Sequence, residues 1–83
     1  MKLVCFSVRD EKIGAFLPPF TCRARGEALR SFTDAVNNPE HLFAKNLEDY
    51  VLYEVGFFED VAGMFAPKEP ERLLSGFEAK TPQ

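Results

Sequence analysis

The hydrophobic pattern begins with two short apolar stretches that are separated by a charged turn. In Leu3–Val8 the apolar residues at every second position share one face of a strand. Residues 9–12 are all charged, and apolar residues resume in Ile13–Leu17. This spacing predicts a β-hairpin. Pro18 and Pro19 are expected to end its second strand, because neither has an N–H group for a sheet hydrogen bond.

The pattern changes to a helical period after a basic connector. Between Gly26 and Asn37 the apolar residues fall on one helix face, namely Ala28, Leu29, Phe32, Ala35 and Val36. Pro39 disfavours helical geometry at Asn38, so the helix is expected to end there. Asn38 could also cap a short second turn that carries His41.

The second half of the chain contains the strongest strand pattern, Tyr50–Phe58. Both of its faces are largely apolar, which is typical of a central strand covered on both sides or of a dimer contact. Gly56 indicates a bulge or a close backbone approach. Met64–Ala66 is predicted to return as a short strand that Pro67 breaks, and residues 77–83 are predicted to fray.

The order β-β-α-β-β predicts an α+β fold, with a small antiparallel β-sheet and one main amphipathic helix packed on one face. The 83 residues, 46% of them hydrophobic and nine of them Phe, fit one small domain, which we place at residues 1–76. Cys5 and Cys22 are too few for a disulfide scaffold. In the predicted hairpin Cys22 lies beyond the paired region, so a bridge to Cys5 is not expected.

No catalytic or metal-binding pattern is present, so we expect no enzyme activity, no metal and no cofactor. His41 is the only histidine and matches no nucleophile, and a position in a cap turn explains it better. The acidic pair Glu48-Asp49 does not have the spacing of a structural zinc site. No stretch is long enough to span a membrane and no signal peptide is recognisable, so a reducing cytosolic compartment and no membrane partner are expected.

The basic connector carries the candidate chemistry. Arg23 and Arg25 follow Phe20 closely, and Arg30 lies one to two helical turns further on. Guanidinium groups beside an aromatic ring are what a groove for single-stranded nucleic acid uses, because the charges follow the phosphates and the ring stacks on a base. The net charge of −3 argues against a strongly basic binder but not against a local patch.

Other residues extend or weaken this prediction. Lys2, Arg9 and Lys12 at the hairpin ends would enlarge the patch if they shared its side. Arg23 and Arg25 have no local acidic partner, whereas Arg30 has Glu27 and Asp34 at ion-pair spacing. For Phe20 the alternative to base stacking is core packing. The same choice applies to the aromatic residues of the long strand, Tyr50, Tyr53, Phe57 and Phe58.

Several pieces of the chain together resemble the small nonstructural protein of gokushoviruses, microvirus bacteriophages with circular single-stranded DNA genomes. In order, the pieces are Phe16-Leu-Pro-Pro-Phe20, Ala28-Leu-Arg30 with Phe32 and Asp34, Val36-Asn-Asn-Pro39, Glu48-Asp-Tyr50, Leu52-Tyr53, Val55-Gly56, Phe58, Asp60 and Gly63. The resemblance implies a non-capsid, early-acting, DNA-associated protein in the host cell cytoplasm. It supplies no catalytic residue.

Two hypotheses follow. The first is a non-enzymatic protein that binds DNA, preferentially single-stranded, during genome replication or the switch to single-strand synthesis, through Arg23, Arg25, Arg30, Phe20, Tyr53 and Lys12. The alternative is a module that docks on a host or phage replication or assembly factor through an apolar strand or face. A homodimer is compatible with both.

Overall fold

A computed structural model describes residues 1–81 as an antiparallel sheet with one main helix on one face, which confirms the α+β prediction. The strands are β1 (Lys2–Asp10), β2 (Ala15–Phe16), β3 (Phe20–Cys22), β4 (Tyr50–Glu59) and β5 (Met64–Ser75). The helices are α1 (Arg25–Val36), α2 (Leu42–Lys45) and α3 (Gly76–Ala79), and a 3₁₀ turn at Leu47–Asp49 leads into β4.

The sheet is built around two long central strands, β1 and β4, which pair with each other. The strand β5 covers the outer side of β4, and β2 and β3 share the outer side of β1. Phe16 pairs with Arg9 and Phe20 pairs with Phe6, so β2 and β3 are two halves of one edge strand with an extra residue between them. The second strand does end before Pro18-Pro19, as predicted, but pairing with β1 is interrupted rather than ended, because prolines at a bulge of an edge strand leave the flanking pairs intact.

The register of β3 also explains why the cysteines stay apart. Cys22 pairs with Val4 and Cys5 pairs with Thr21, so Cys22 is within the paired region, contrary to the prediction. Because neighbouring positions of a strand alternate between faces, Cys5 and Cys22 lie on opposite sides of the sheet. Both are free thiols, as expected. Burial raises the pKa of both, which makes them weak nucleophiles at neutral pH.

The core lies between α1 and one face of the sheet, here called the helix face. Ala28, Phe32 and Val36 are the buried side of α1, which confirms the predicted apolar face. They pack in one cluster with residues of the sheet and of the C-terminal segment, namely Phe6, Val8, Tyr50, Leu52 and Ala79. The helix begins and ends one residue earlier than the sequence pattern indicated.

The strand β5 is much longer than predicted and tolerates two prolines. The prediction that Pro67 breaks it is wrong, because β5 is an edge strand and the missing N–H groups cost no sheet pairing on its outer side. Gly56 pairs with Pro67 and Glu54 with Glu71, so residues 68–70 of β5 bulge opposite a single residue of β4. A Cβ at Gly56 would lie 2.7 Å from the carbonyl oxygen of Ala66, which confirms the predicted close approach.

The side of the sheet away from α1 has no helix on it and is here called the open face. By register it carries Ser7, Phe16, Tyr53 and Phe65. The Phe16 ring meets Tyr53 edge-on at 5.2 Å, and Phe65 packs on Phe58 at 4.7 Å between ring centres. Phe65 is nevertheless 71% exposed.

The C-terminal segment is docked rather than frayed over the residues that the structure describes. Ser75 and Glu78 form a capping box that starts α3, and Ala79 is buried. Gly76 is needed there because a Cβ would run into the carbonyl oxygen of Leu47. The predicted frayed tail, residues 77–83, is thus wrong for residues 77–79, and residues 82 and 83 lie outside the described part.

The Asn37 side chain ties this segment to the end of α1. Its Nδ2 donates to the carbonyl oxygens of Thr33 (2.8 Å) and Ala79 (3.0 Å), and its Oδ1 accepts from the Thr81 N–H (2.8 Å). We expect Asn37→Ala to lower the free energy of unfolding by about 1–3 kcal/mol, because two part-buried hydrogen bonds and one exposed hydrogen bond are lost at once. Urea denaturation followed by circular dichroism measures this.

The control is Asn38→Ala, since the Asn38 carboxamide makes one local hydrogen bond, to the Glu40 N–H. Equal destabilisation by the two variants would contradict a role for Asn37 in docking the C-terminal segment.

Candidate nucleic-acid interface

The N-terminal end of α1 is fastened to the sheet by a four-residue ionic network. The Glu54 carboxylate on β4 accepts from Arg25 Nε at 3.0 Å and from Lys68 Nζ at 2.7 Å. Glu71 on β5 receives the same two cations, at 3.1 Å and 2.8 Å. The Glu54 side chain is only 6% exposed, whereas the Arg25 side chain is 46% exposed. The network therefore has a buried acidic centre, and its exposed side carries both Arg25 and Glu71.

Burial of Glu54 by itself acts to raise the pKa of its carboxyl group. The hydrogen bonds from Lys68 and Arg25 outweigh that effect, and the pKa lies below its ordinary value. The same contacts raise the pKa of Arg25, chiefly through its hydrogen bond with Glu54. Arg25 has no acidic partner close by in the sequence, as predicted, but it has two distant ones, which lie 29 and 46 residues away in the chain.

An aromatic ring with two ammonium groups over it adjoins the network. Lys2 Nζ lies 4.4 Å from the centre of the Phe57 ring, and Lys68 Nζ lies 6.0 Å from it. Both distances are within the range of a cation–π interaction. Phe57 pairs with Val4 and therefore faces the helix side of the sheet, beyond the start of α1.

Arg23 lies at the same end of the sheet. It follows Cys22, whose pairing with Val4 places it beside the start of β1. Its backbone N–H donates to Glu27 Oε1 at 2.8 Å, whereas its side chain is exposed and has no ion pair among residues 1–81. We call this cluster, which consists of Lys2, Arg23, Arg25 and Lys68 around Phe57, the basic end.

The charges at the basic end are close to balanced. Arg25 and Lys68 are neutralised by Glu54 and Glu71. Glu59 and Asp60 share the single terminal ammonium group, at 3.2 Å and 2.6 Å, and Glu59 also lies opposite Lys2 in the sheet. Lys2 and Arg23 are the two cations of this end that form no ion pair among residues 1–81.

Three other predicted cations lie elsewhere. Arg30 is two residues from the buried Ala28, so it projects from the opposite, solvent side of α1. Among residues 1–81 it forms no ion pair with Glu27 or Asp34, the alternative that the spacing offered. Lys12 lies in the turn after β1, and the nine residues of that strand separate it from Lys2 by about 27 Å. Arg9 is also remote, because it pairs with Glu11 at 3.3 Å and stacks on Phe16.

The two predicted stacking residues lie on opposite faces of the sheet. The half-buried Phe20 ring packs 5.9 Å from Phe6 and against the core, as the alternative interpretation had it. Tyr53 contacts Phe16 on the open face. Neither ring forms a groove together with the arginines. The ring that does lie at the basic end is Phe57, which the sequence offered as one of several aromatic residues in its strand.

Lys68 is the member of the basic end that the sequence did not reveal. The stretch Pro67-Lys-Glu-Pro70 resembles a strand-breaking loop, which hides its place in the sheet. The bulge opposite Val55 carries Lys68 back over Glu54 and Phe57. No local pattern signals such a bulge.

His41 caps α2, because its Nδ1 accepts from the Phe43 N–H at 3.1 Å, as expected for a cap-turn histidine. Residues 1–81 contain no group of three or more His, Cys, Asp or Glu side chains that could hold a metal ion. Within the same range no helix is long and apolar enough to cross a membrane.

Comparison with known proteins identifies the class of protein to which this antiparallel sheet with a basic end belongs. The family model for the Phage ORF5 protein matches residues 3–79, nearly the whole chain. The chain belongs to this phage protein family. No curated protein and no solved structure matches it significantly.

The network centred on Glu54 predicts a pH-dependent stability. Because the folded-state pKa of Glu54 lies below the ordinary value of 4.5, its stabilisation is present above that pH and is lost as the pH falls through the folded-state pKa. We expect Glu54→Gln to lower the free energy of unfolding at pH 7 by about 1–3 kcal/mol and to flatten its decline on acidification. Urea unfolding at pH 7, 4 and 3 measures both effects.

Glu69→Gln is the matched control, because Glu69 is an exposed carboxylate on β5 that is outside the network. Should the two variants show the same stability at pH 7 and the same pH profile, the network does not hold α1 to the sheet.

Proposed function

We propose that this phage ORF5 protein is a non-enzymatic, nonstructural protein that binds single-stranded DNA at its basic end. The placement of Lys2 and Lys68 over the Phe57 ring carries the proposal, because it puts cations and an aromatic surface at one solvent-accessible place. Cations that follow phosphates and rings that stack on bases are the two components of general single-strand binding.

The energetics favour an exchange at Phe57. An exposed cation–π contact contributes about 0.5–1 kcal/mol, whereas a base stacked on an aromatic side chain contributes about 1–3 kcal/mol. An incoming base can therefore replace the ammonium group of Lys2 on the ring. Lys2 is then free to pair with the adjacent phosphate.

Arg23 and Lys2 are better placed for this role than Arg25 and Lys68. The latter two are held by Glu54 and Glu71, and phosphate would have to compete with those carboxylates. Binding through few free cations is expected to be of modest affinity and strongly weakened by salt.

The biological setting is part of the same proposal. Membership in a phage family, together with the resemblance to the gokushovirus nonstructural protein, supports action in the host cytoplasm during replication or the switch to single-strand synthesis. A small circular single-stranded genome provides the ligand that the basic end suits. No step in this role requires a catalytic group, a metal or a cofactor.

The alternative, a protein-docking module, is supported by the open face. A strand of a partner protein cannot pair with an edge of Tyr50–Phe58, because β4 is already paired with β1 on one side and with β5 on the other. The uncovered apolar surface of Phe16, Tyr53 and Phe65 is the surface that a protein partner would use.

The double variant Lys2→Gln/Arg23→Gln tests the location of the DNA site. We expect it to weaken binding of a fluorescein-labelled dT20 oligonucleotide at least tenfold at 50 mM salt. We also expect the slope of log K against log salt to become shallower by about 1.4, which corresponds to two fewer phosphate contacts on a single strand. Fluorescence anisotropy at four salt concentrations measures both quantities.

Lys12→Gln/Arg30→Gln is the matched control, since it removes the same charge from the other two predicted positions and should leave binding within a factor of two. If the control variant weakens DNA binding as much as the test variant does, the DNA is attracted by the overall charge of the protein and not by a site at the basic end. Absence of binding by the wild type at 50 mM salt would refute the proposed function.

Replacement of the ring tests stacking separately from charge. Phe57→Leu keeps an apolar side chain but removes the aromatic surface, and we expect a loss of about 1–3 kcal/mol in binding free energy with an unchanged salt slope. Tyr53→Leu, at the other predicted stacking position, should bind as the wild type does. The same anisotropy titration and thermal unfolding of both variants measure the effects. A Phe57→Leu protein that is folded and binds normally would exclude stacking at this ring.

A further inference from the structure

The open face carries a connected apolar groove. One depression of about 540 Å³ lies between Phe16 and Pro70 with Ser7 at its base. A second, of about 340 Å³, extends beside Cys5 to Phe65. They share Pro19 and Val55, so they form one channel across the sheet. We call it the open-face groove.

The charges around the groove do not suit a nucleic acid. Arg9 and Arg72, the cations that register places on this side of the sheet, are each paired, with Glu11 at 3.3 Å and with Glu78 at 2.7 Å. The residues that line the groove in the described part of the chain are uncharged. Its occupant is therefore apolar and does not present phosphate.

Both edges of the sheet are poor sites for another strand. Pro18 and Pro19 interrupt the β2–β3 edge, and Pro67 and Pro70 lie on the β5 edge. Prolines at an edge remove donors that an added strand would need. A second molecule that associates with this sheet would therefore contact its open face and not its edges.

The open face contains both halves of a self-complementary contact. Phe65 protrudes, 71% exposed and supported from below by Phe58. It lies at the level of Leu3, whereas the wider part of the groove lies at the level of Ser7, four residues or about 13 Å along β1. A two-fold axis between these levels places each Phe65 over the groove of the other chain, as an isologous interface requires.

We infer that the occupant of the open-face groove is a second copy of this chain, which forms a two-fold dimer with the two sheets face to face. The molecule is 43 Å long and 24 Å wide, so coverage of most of this face reaches the roughly 800 Å² per partner that stable interfaces bury. The helices and both basic ends then lie on the outside. The inference depends on Phe65 and the groove rather than on the cations of the basic end, although Phe57 also lines the second depression.

The test is the mass of the full-length chain in solution between 5 and 500 μM, by light scattering and sedimentation equilibrium. We expect twice the chain mass of 9.4 kDa at the higher concentrations. Phe65→Ser should raise the dimer dissociation constant at least tenfold. The matched control is Phe77→Ser, which removes an equally large side chain that is 63% exposed on α3, and it should leave the constant within twofold.

A second readout needs no variant. The thermal midpoint of a wild-type dimer rises with protein concentration, whereas that of a monomer does not. A mass of 9.4 kDa and a constant thermal midpoint over the whole concentration range would overturn the inference. This would hold even if another protein were found to bind the groove. Equal weakening by Phe65→Ser and Phe77→Ser would place the interface elsewhere and overturn it as well.

Discussion

The buried carboxylate of Glu54 is the constraint on which the rest of the arrangement depends. It cannot be ionised in the core without partners, and its partners come from the start of α1 and from the bulge of β5. One group therefore fixes where α1 begins on the sheet and where the irregular part of β5 lies. Because Lys68 bridges to Phe57 as well, the same constraint places the cations of the basic end.

The two faces of the sheet are covered differently as a result. The helix face is filled by α1 over the half of the sheet that contains Phe6 and Leu52, and α1 leaves Phe57 beneath Lys2 and Lys68 near its N-terminus. Within residues 1–81 no helix covers the open face, and its two arginines are paired with carboxylates.

What the sequence predicted was local, and what it missed was set by distant pairing. The apolar period of α1 and the alternation in β4 follow from neighbouring residues, so the helix, the long strand and the α+β class were predictable. Pro18 and Pro67 were misjudged because their tolerance depends on lying at sheet edges, which only the strand order decides. The pairing of Arg25 with Glu54 and the position of Lys68 depend on a bulge and on contacts across 29 and 14 residues. The arginines of the connector lie at the same end of the sheet as Lys2 and Lys68, and the aromatic ring at that end comes from β4.

The strand order has a consequence for how the chain is made. Asp10 pairs with Tyr50, 40 residues further on, and Lys2 pairs with Glu59, 57 residues further on. The apolar residues of β1 leave the ribosome first and have no β4 to pair with until the second half has been synthesised. The β4–β5 hairpin, by contrast, is local and can form as soon as it emerges. Such non-local pairing slows folding, and until β4 is available β1 can pair only with its local edge strands β2 and β3.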